Sequence, residues 1–112
     1  GSSCINSAGE KIYTEEVEEV IKTHPAVADA LVVGIPDERF GQRVTAVVAT
    51  RATLDEVVPD LDEYLKERLA GYKRPRVIVR VEEVRRGPNG KPDYKWARQV
   101  VLASQTGVGA PT

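Results

Sequence analysis

The sequence predicts an α+β domain: a small, mostly antiparallel sheet of about three strands with three helices packed on it, preceded by an N-terminal β-hairpin. Three observations predict it. Val44, Ala46 and Val48 alternate with Arg43, Thr45 and Val47, the period of two that belongs to a strand. Leu61, Tyr64, Leu65 and Leu69 recur at helical spacing. Strand-like and helix-like stretches then follow one another, with Gly and Pro at most boundaries. With one Phe, one Trp and no Met in 112 residues, the core rests on Val, Leu, Ile and Ala and is modest.

The elements follow in order. Cys4-Ile5-Asn6 and Lys11-Ile12-Tyr13 flank the small-residue turn Ser7-Ala8-Gly9-Glu10, which reads as a hairpin. Thr14 is the expected N-cap of a first helix, with Glu15 and Glu16 in its positive first turn. Val17, Val20 and Ile21 give a narrow apolar stripe, and His24-Pro25 ends the helix. Ala26 to Ile35 reads as a strand closed by Pro36-Asp37, and a short Gly41-containing loop leads into a second, antiparallel strand to Thr50. Asp60 with Glu63 resembles a capping box that starts a second helix, and Gly71 stands where a C′ residue belongs. Lys73, Arg74 and Arg76 mark a basic connector. Val77 to Val81 is the third strand, with Ile78 facing away from Val77, Val79 and Val81. Asp93 caps a last helix to about Ala103, and the Gly, Ser, Thr and Pro of 104–112 predict a disordered tail.

Composition excludes several functions. Lys and Arg number 16 against 17 Asp and Glu, so no electrostatic footprint for nucleic acid is present. The longest apolar run, Ala30 to Ile35, is too short to span a bilayer, and no basic stretch followed by an apolar run opens the chain. Cys4 and His24 are each the only residue of their kind, which rules out an internal disulfide and a Cys/His metal cluster within this sequence. A reduced, cytoplasmic setting is the expectation.

The chemistry gathers in Arg85-Arg86-Gly87-Pro88-Asn89-Gly90-Lys91-Pro92-Asp93. Gly90 allows a positive φ and Pro92 holds Lys91 extended, so the loop presents one ammonium on a shaped backbone. Alone, such a loop reads as an ordinary solvated turn. It is not a nucleotide P-loop, because Arg85 and Pro92 stand where glycine and Ser or Thr are required. Glu82 and Glu83 are adjacent and point opposite ways, so they form no acid–base pair. Nothing else in the sequence is matched to Lys91.

Four ordered blocks carry a resemblance: Gly9-Glu10-Lys11-Ile12-Tyr13 with Glu15-Glu16-Val17-Glu18, His24 to Ala30 with Val33 to Gln42, Leu69 to Pro75, and Gly87 to Lys91. Together they resemble the C-terminal domain of acyl-CoA synthetases, members of the adenylate-forming enzymes, and Cys4-Ile5-Asn6 is most like the fatty-acyl branch. The resemblance implies that 1–103 is the mobile lid of an ATP-dependent acid–CoA ligase whose partner is its own N-terminal adenylation domain. It implies ATP, Mg²⁺ and CoA as cofactors and a carboxylic acid as substrate, with no nucleic acid. Any membrane association would come through that missing domain. Lys91 would be the adenylation lysine. Ser7, Ala8, Gly9, Glu10 and Lys11 would border the pantetheine channel after rotation, and Lys73 and Arg74 would meet CoA phosphates. Ser3 aligns with the hinge, where the family usually has Asp or Lys, while Ala8 replaces a glycine and Thr14 a proline. The alternatives are a stand-alone α+β interaction module, or the adenylation subdomain of a peptide synthetase. As a fragment, the lid alone is expected to be inactive.

Overall fold

The computed structural model describes residues 3–51 and 54–105. Strands β1 (Cys4–Ser7) and β2 (Glu10–Tyr13) pair antiparallel as the expected hairpin. Helix α1 (Thr14–Lys22) leads into β3 (Val27–Asp37) and β4 (Gly41–Thr50), which also pair antiparallel. Helix α2 (Leu54–Lys66) crosses over to β5 (Val77–Val81), and α3 (Tyr94–Gln105) closes the chain. The three-stranded sheet has the order β3-β4-β5, with β5 parallel to β4, the arrangement that a helical crossover produces.

Both faces of this sheet are covered, and the alternation read from β4 and β5 sorts their side chains correctly. Ala30, Val32, Val44, Ala46 and Val48 face α1, α2 and the hairpin, where Ile5, Ile12, Val17, Ile21, Leu61 and Leu65 complete one core. Leu31, Val33, Ile35, Val47, Val79 and Val81 face α3 and meet Ala97, Val100 and Val101 in a second. Two-sided burial explains why β3 is an almost unbroken apolar run. Gly34 lets the hairpin lie close: a Cβ there would stand 3.1 Å from the Ile5 methyl and 3.0 Å from the Gln42 amide.

Local cap rules give way to packing at several places. Thr14 is the first helical residue rather than the N-cap, Tyr13 takes that place without a side-chain bond, and the Thr14 hydroxyl turns inward. α2 starts at Leu54 and runs through Pro59, so Asp60 lies inside it and caps nothing. The Asp60 carboxylate instead accepts a hydrogen bond from His24 Nε2, whose Nδ1 accepts the Ala26 N–H at 3.0 Å. Gly71 is not a C′ residue. α2 has already ended at Lys66, Arg68 and Leu69 both donate to the Leu65 carbonyl, and Gly71 opens a short 3₁₀ turn to Lys73. β3 continues through Pro36, opposite Gln42; an edge strand tolerates proline because its outer N–H has no ladder partner to lose. The Asp93 cap is as expected, its carboxylate accepting the Trp96 N–H at 3.0 Å. α3 runs to Gln105, and the remainder of the predicted tail, 106–112, lies outside the described residues.

Candidate functional site

The lysine loop is a miniature hairpin. Arg86 and Pro92 form an antiparallel bridge, the Gly87 N–H donates to the Lys91 carbonyl at 2.8 Å, and the Gly90 N–H donates to Gly87 at 2.9 Å. Gly90 takes φ +77°, as its place before Lys91 requires. Lys91 is exposed, and among the described residues no hydrogen bond or ion pair engages its ammonium. The loop is held to the sheet by Arg86. Its Nε and Nη2 donate to the two oxygens of Asp29 at 2.9 and 2.7 Å, and its Nη1 donates to the Gly90 carbonyl at 3.2 Å. Partial burial raises the Asp29 carboxyl, but the Arg86 fork and the Ala30 N–H outweigh it and hold the group below its ordinary value. The same hydrogen bonds raise the Arg86 pKa. A cavity of about 520 Å³ opens at the root of the loop, and Glu82 and Glu83 on its wall disfavour phosphate.

The second candidate element docks elsewhere. Ala8 and Gly9 take φ +51° and +82°, the two left-handed positions of a type I′ turn. Gly9 adopts this freely, whereas Ala8 carries a left-handed cost of roughly 1 kcal/mol. The turn is pinned to the β3–β4 loop: the Ala8 N–H donates to the Phe40 carbonyl at 2.8 Å, and the Asn6 N–H to Gln42 Oε1 at 2.9 Å. Ser7 is buried, while Ala8, Gly9, Glu10 and Lys11 are exposed. Asp29 and Asp37 lie at opposite ends of β3. At about 3.3 Å per residue their eight-residue separation is roughly 26 Å, so the loop and the turn are anchored at opposite ends of one rigid strand.

The basic connector joins the turn's end of the sheet. The Arg76 N–H donates to the Val44 carbonyl at 2.8 Å, and its guanidinium lies 4.3 Å from the centre of the Phe40 ring. Lys73 is engaged: its ammonium sits 2.7 Å from Glu16, and that hydrogen bond raises its pKa. The half-buried Arg74 has a buried Nε with no hydrogen-bond partner among the described residues.

A family model for the AMP-binding enzyme C-terminal domain matches residues 16–91. The chain belongs to that family. This AMP-binding C-terminal domain is 56% identical over 98 residues to a 3-oxocholest-4-en-26-oate–CoA ligase of Rhodococcus rhodochrous. It is 55% identical over 100 residues to a medium/long-chain-fatty-acid–CoA/3-oxocholest-4-en-26-oate–CoA ligase of Mycolicibacterium smegmatis. These alignments cover 88% and 89% of the chain, which spans only 18% of each relative's length. Among solved structures it is similar to a Mycobacterium tuberculosis fatty acyl CoA synthetase, with TM-score 0.80, 35% identity, and coverage of 90% of this chain and 20% of that one.

Several residues that shape the domain carry no motif in the sequence. Glu18, in α1, is only 4% exposed. Its Oε2 accepts the Val32 N–H of the edge strand at 2.9 Å and the Tyr94 hydroxyl at 2.8 Å. The Thr14 hydroxyl lies 3.2 Å from Tyr94 and 3.4 Å from the carbonyl of Ser3, so the residue aligned with the hinge is linked to the start of α3. Burial pushes the Tyr94 phenol up to about 12, which keeps it a donor. Burial also raises Glu18 above its ordinary 4.5, against the opposing hydrogen bonds from Val32 and Tyr94. The folded chain therefore holds this proton to higher pH than the unfolded chain. The contribution is full below 4.5 and is lost as pH rises through the raised folded value. The unfolding free energy of wild type minus that of Glu18→Gln is expected to fall as pH rises above 4.5 in denaturation titrations. A pH-independent difference refutes this assignment. The one signal for Glu18 was its helical register with Val17 and Ile21, on the stripe's edge; its bond to Val32 needed the tertiary structure.

No helix among the described residues is long and apolar enough to cross a membrane. Nor do any three His, Cys, Asp or Glu side chains among them stand together as a metal site.

Proposed function

We propose that this chain is the mobile C-terminal lid, 1–103, of an ATP-dependent acid–CoA ligase that acts on carboxylic acids with a large apolar body, fatty acids foremost. The reading is carried by one observation: an unpaired ammonium on a braced loop and an open glycine turn sit at opposite ends of β3 in a domain of this family. A group at one end cannot share a reaction centre with a group at the other, so the two act in turn as the lid rotates about Ser3. Lys91 serves adenylation. Attack of a carboxylate on the ATP α-phosphate brings two anions together, and a directed ammonium offsets the repulsion and stabilises developing charge. The turn Ser7–Lys11 serves thioester formation, where the exposed Gly9 gives pantetheine a surface without a side chain. Lys73 is held by Glu16, which leaves Arg74 as the better candidate for a CoA phosphate. ATP and most of the acyl pocket belong to the N-terminal domain, and the enzyme works in the cytoplasm, where ATP and CoA are supplied.

The test uses the whole protein that carries this domain, supplied with ATP, CoA and a panel of fatty and steroid-side-chain acids. AMP and acyl-CoA are expected in equal amounts. Consumption of ATP to ADP, or no AMP with any acid, overturns the reading. The isolated lid is expected to form no adenylate.

A further inference from the structure

The chemistry proposed for the loop uses Lys91 and leaves Arg86 unexplained. The loop's own hydrogen bonds, Gly87 to Lys91 and Gly90 to Gly87, set its internal shape. The Arg85–Asp93 ion pair, at 3.5 Å, also stays within it. None of these fixes the loop against the sheet. Arg86 does. One face of its guanidinium fork takes both oxygens of Asp29, and its remaining arm takes the Gly90 carbonyl. That carbonyl belongs to the peptide unit joined directly to Lys91.

Asp29 is itself held. Its Oδ1 accepts the Ala30 N–H at 2.9 Å, and it stands where the β3–β4 register shifts, next to the fully buried Ala30 and Leu31. Rigidity therefore passes from β3, whose side chains enter both cores, to Asp29, to Arg86, to the backbone beside the lysine. Both side chains of the pair are 26% exposed. A bidentate Arg–carboxylate pair at this burial also stabilises the fold, but stability does not require the third bond, to the carbonyl beside Lys91. Positioning accounts for it well, because a misplacement of about 1 Å costs on the order of a hundredfold in rate.

We propose that Asp29 and Arg86 are a positioning pair that aims Lys91 for the adenylation step, an inference that rests on the role given to Lys91 above. Neither residue needs to touch substrate. The pair acts on one half-reaction only, because the turn used in the other is anchored to Phe40 and Gln42, at the far end of β3.

The experiment uses the whole ligase with Arg86→Lys and Asp29→Asn. Lysine keeps the charge but cannot span both Asp29 oxygens and the Gly90 carbonyl. Each variant is expected to lower kcat for ATP–pyrophosphate exchange about 10- to 100-fold, with KM for ATP and acid changed less than about twofold. Thioester formation from supplied acyl-adenylate should stay within about twofold of wild type. The double variant should be no worse than the poorer single one, since both act through the same contact. Hydrogen exchange of the peptide spanning 84–94 should quicken in each. Unchanged exchange kcat in Arg86→Lys, or equal losses in both half-reactions, overturns the pair. Lys91→Ala run alongside separates the two readings. If it retains exchange activity, the role of Lys91 fails and the pair with it. If it loses exchange while Arg86→Lys does not, only the pair fails.

Discussion

Replacement of Lys91 by alanine in the whole ligase is expected to slow ATP–pyrophosphate exchange by about a hundred- to ten-thousandfold. That range follows from removing a charged donor aimed at a phosphoryl transition state. The fold should not suffer. Lys91 is exposed and the loop is closed by backbone bonds that alanine retains, so unfolding is expected to shift by no more than about 0.5 kcal/mol. Thioester formation from supplied acyl-adenylate should continue within about twofold of wild type, because the proposed rotation would turn the lysine end of β3 away from the reacting atoms. Near wild-type exchange in Lys91→Ala would sink its assigned role, whatever the second half-reaction does.

The mirror-image result is expected of Gly9→Leu: thioester formation reduced about tenfold or more, with pyrophosphate exchange preserved. Two effects have to be parted. At φ +82° any L side chain is strained, by roughly 1–2 kcal/mol. A Cβ at Gly9 nevertheless meets nothing within 4 Å, so the substitution provokes no clash inside the domain. Gly9→Ala carries the same backbone strain with almost no bulk. If obstruction of the channel is the cause, leucine must be clearly worse than alanine in the thioester assay. Equal effects would assign the loss to the backbone, and a parallel loss of exchange activity in Gly9→Leu would refute the two-ended arrangement.

Much of the architecture was legible because period and punctuation are local. The alternation of Val44, Ala46 and Val48 placed β4, and the Asp93 carboxylate capped α3 as its position promised. Cap assignments failed where packing outweighed a tendency worth about 1 kcal/mol. The Thr14 hydroxyl is drawn to Tyr94 and Ser3, and the Asp60 carboxylate to His24.

By itself the sequence determined the α+β class, the shaped lysine loop and its freedom from any P-loop reading, because these follow from residue type and spacing within about ten positions. Only the tertiary structure decided what holds that loop. Asp29 and Arg86 lie 57 residues apart, and nothing in either neighbourhood marks them as partners. The tertiary structure also decided that the lysine and the glycine turn stand at opposite ends of one strand. Such relations arise when a chain closes on itself, and the side chains that make them carry no local periodicity to betray it.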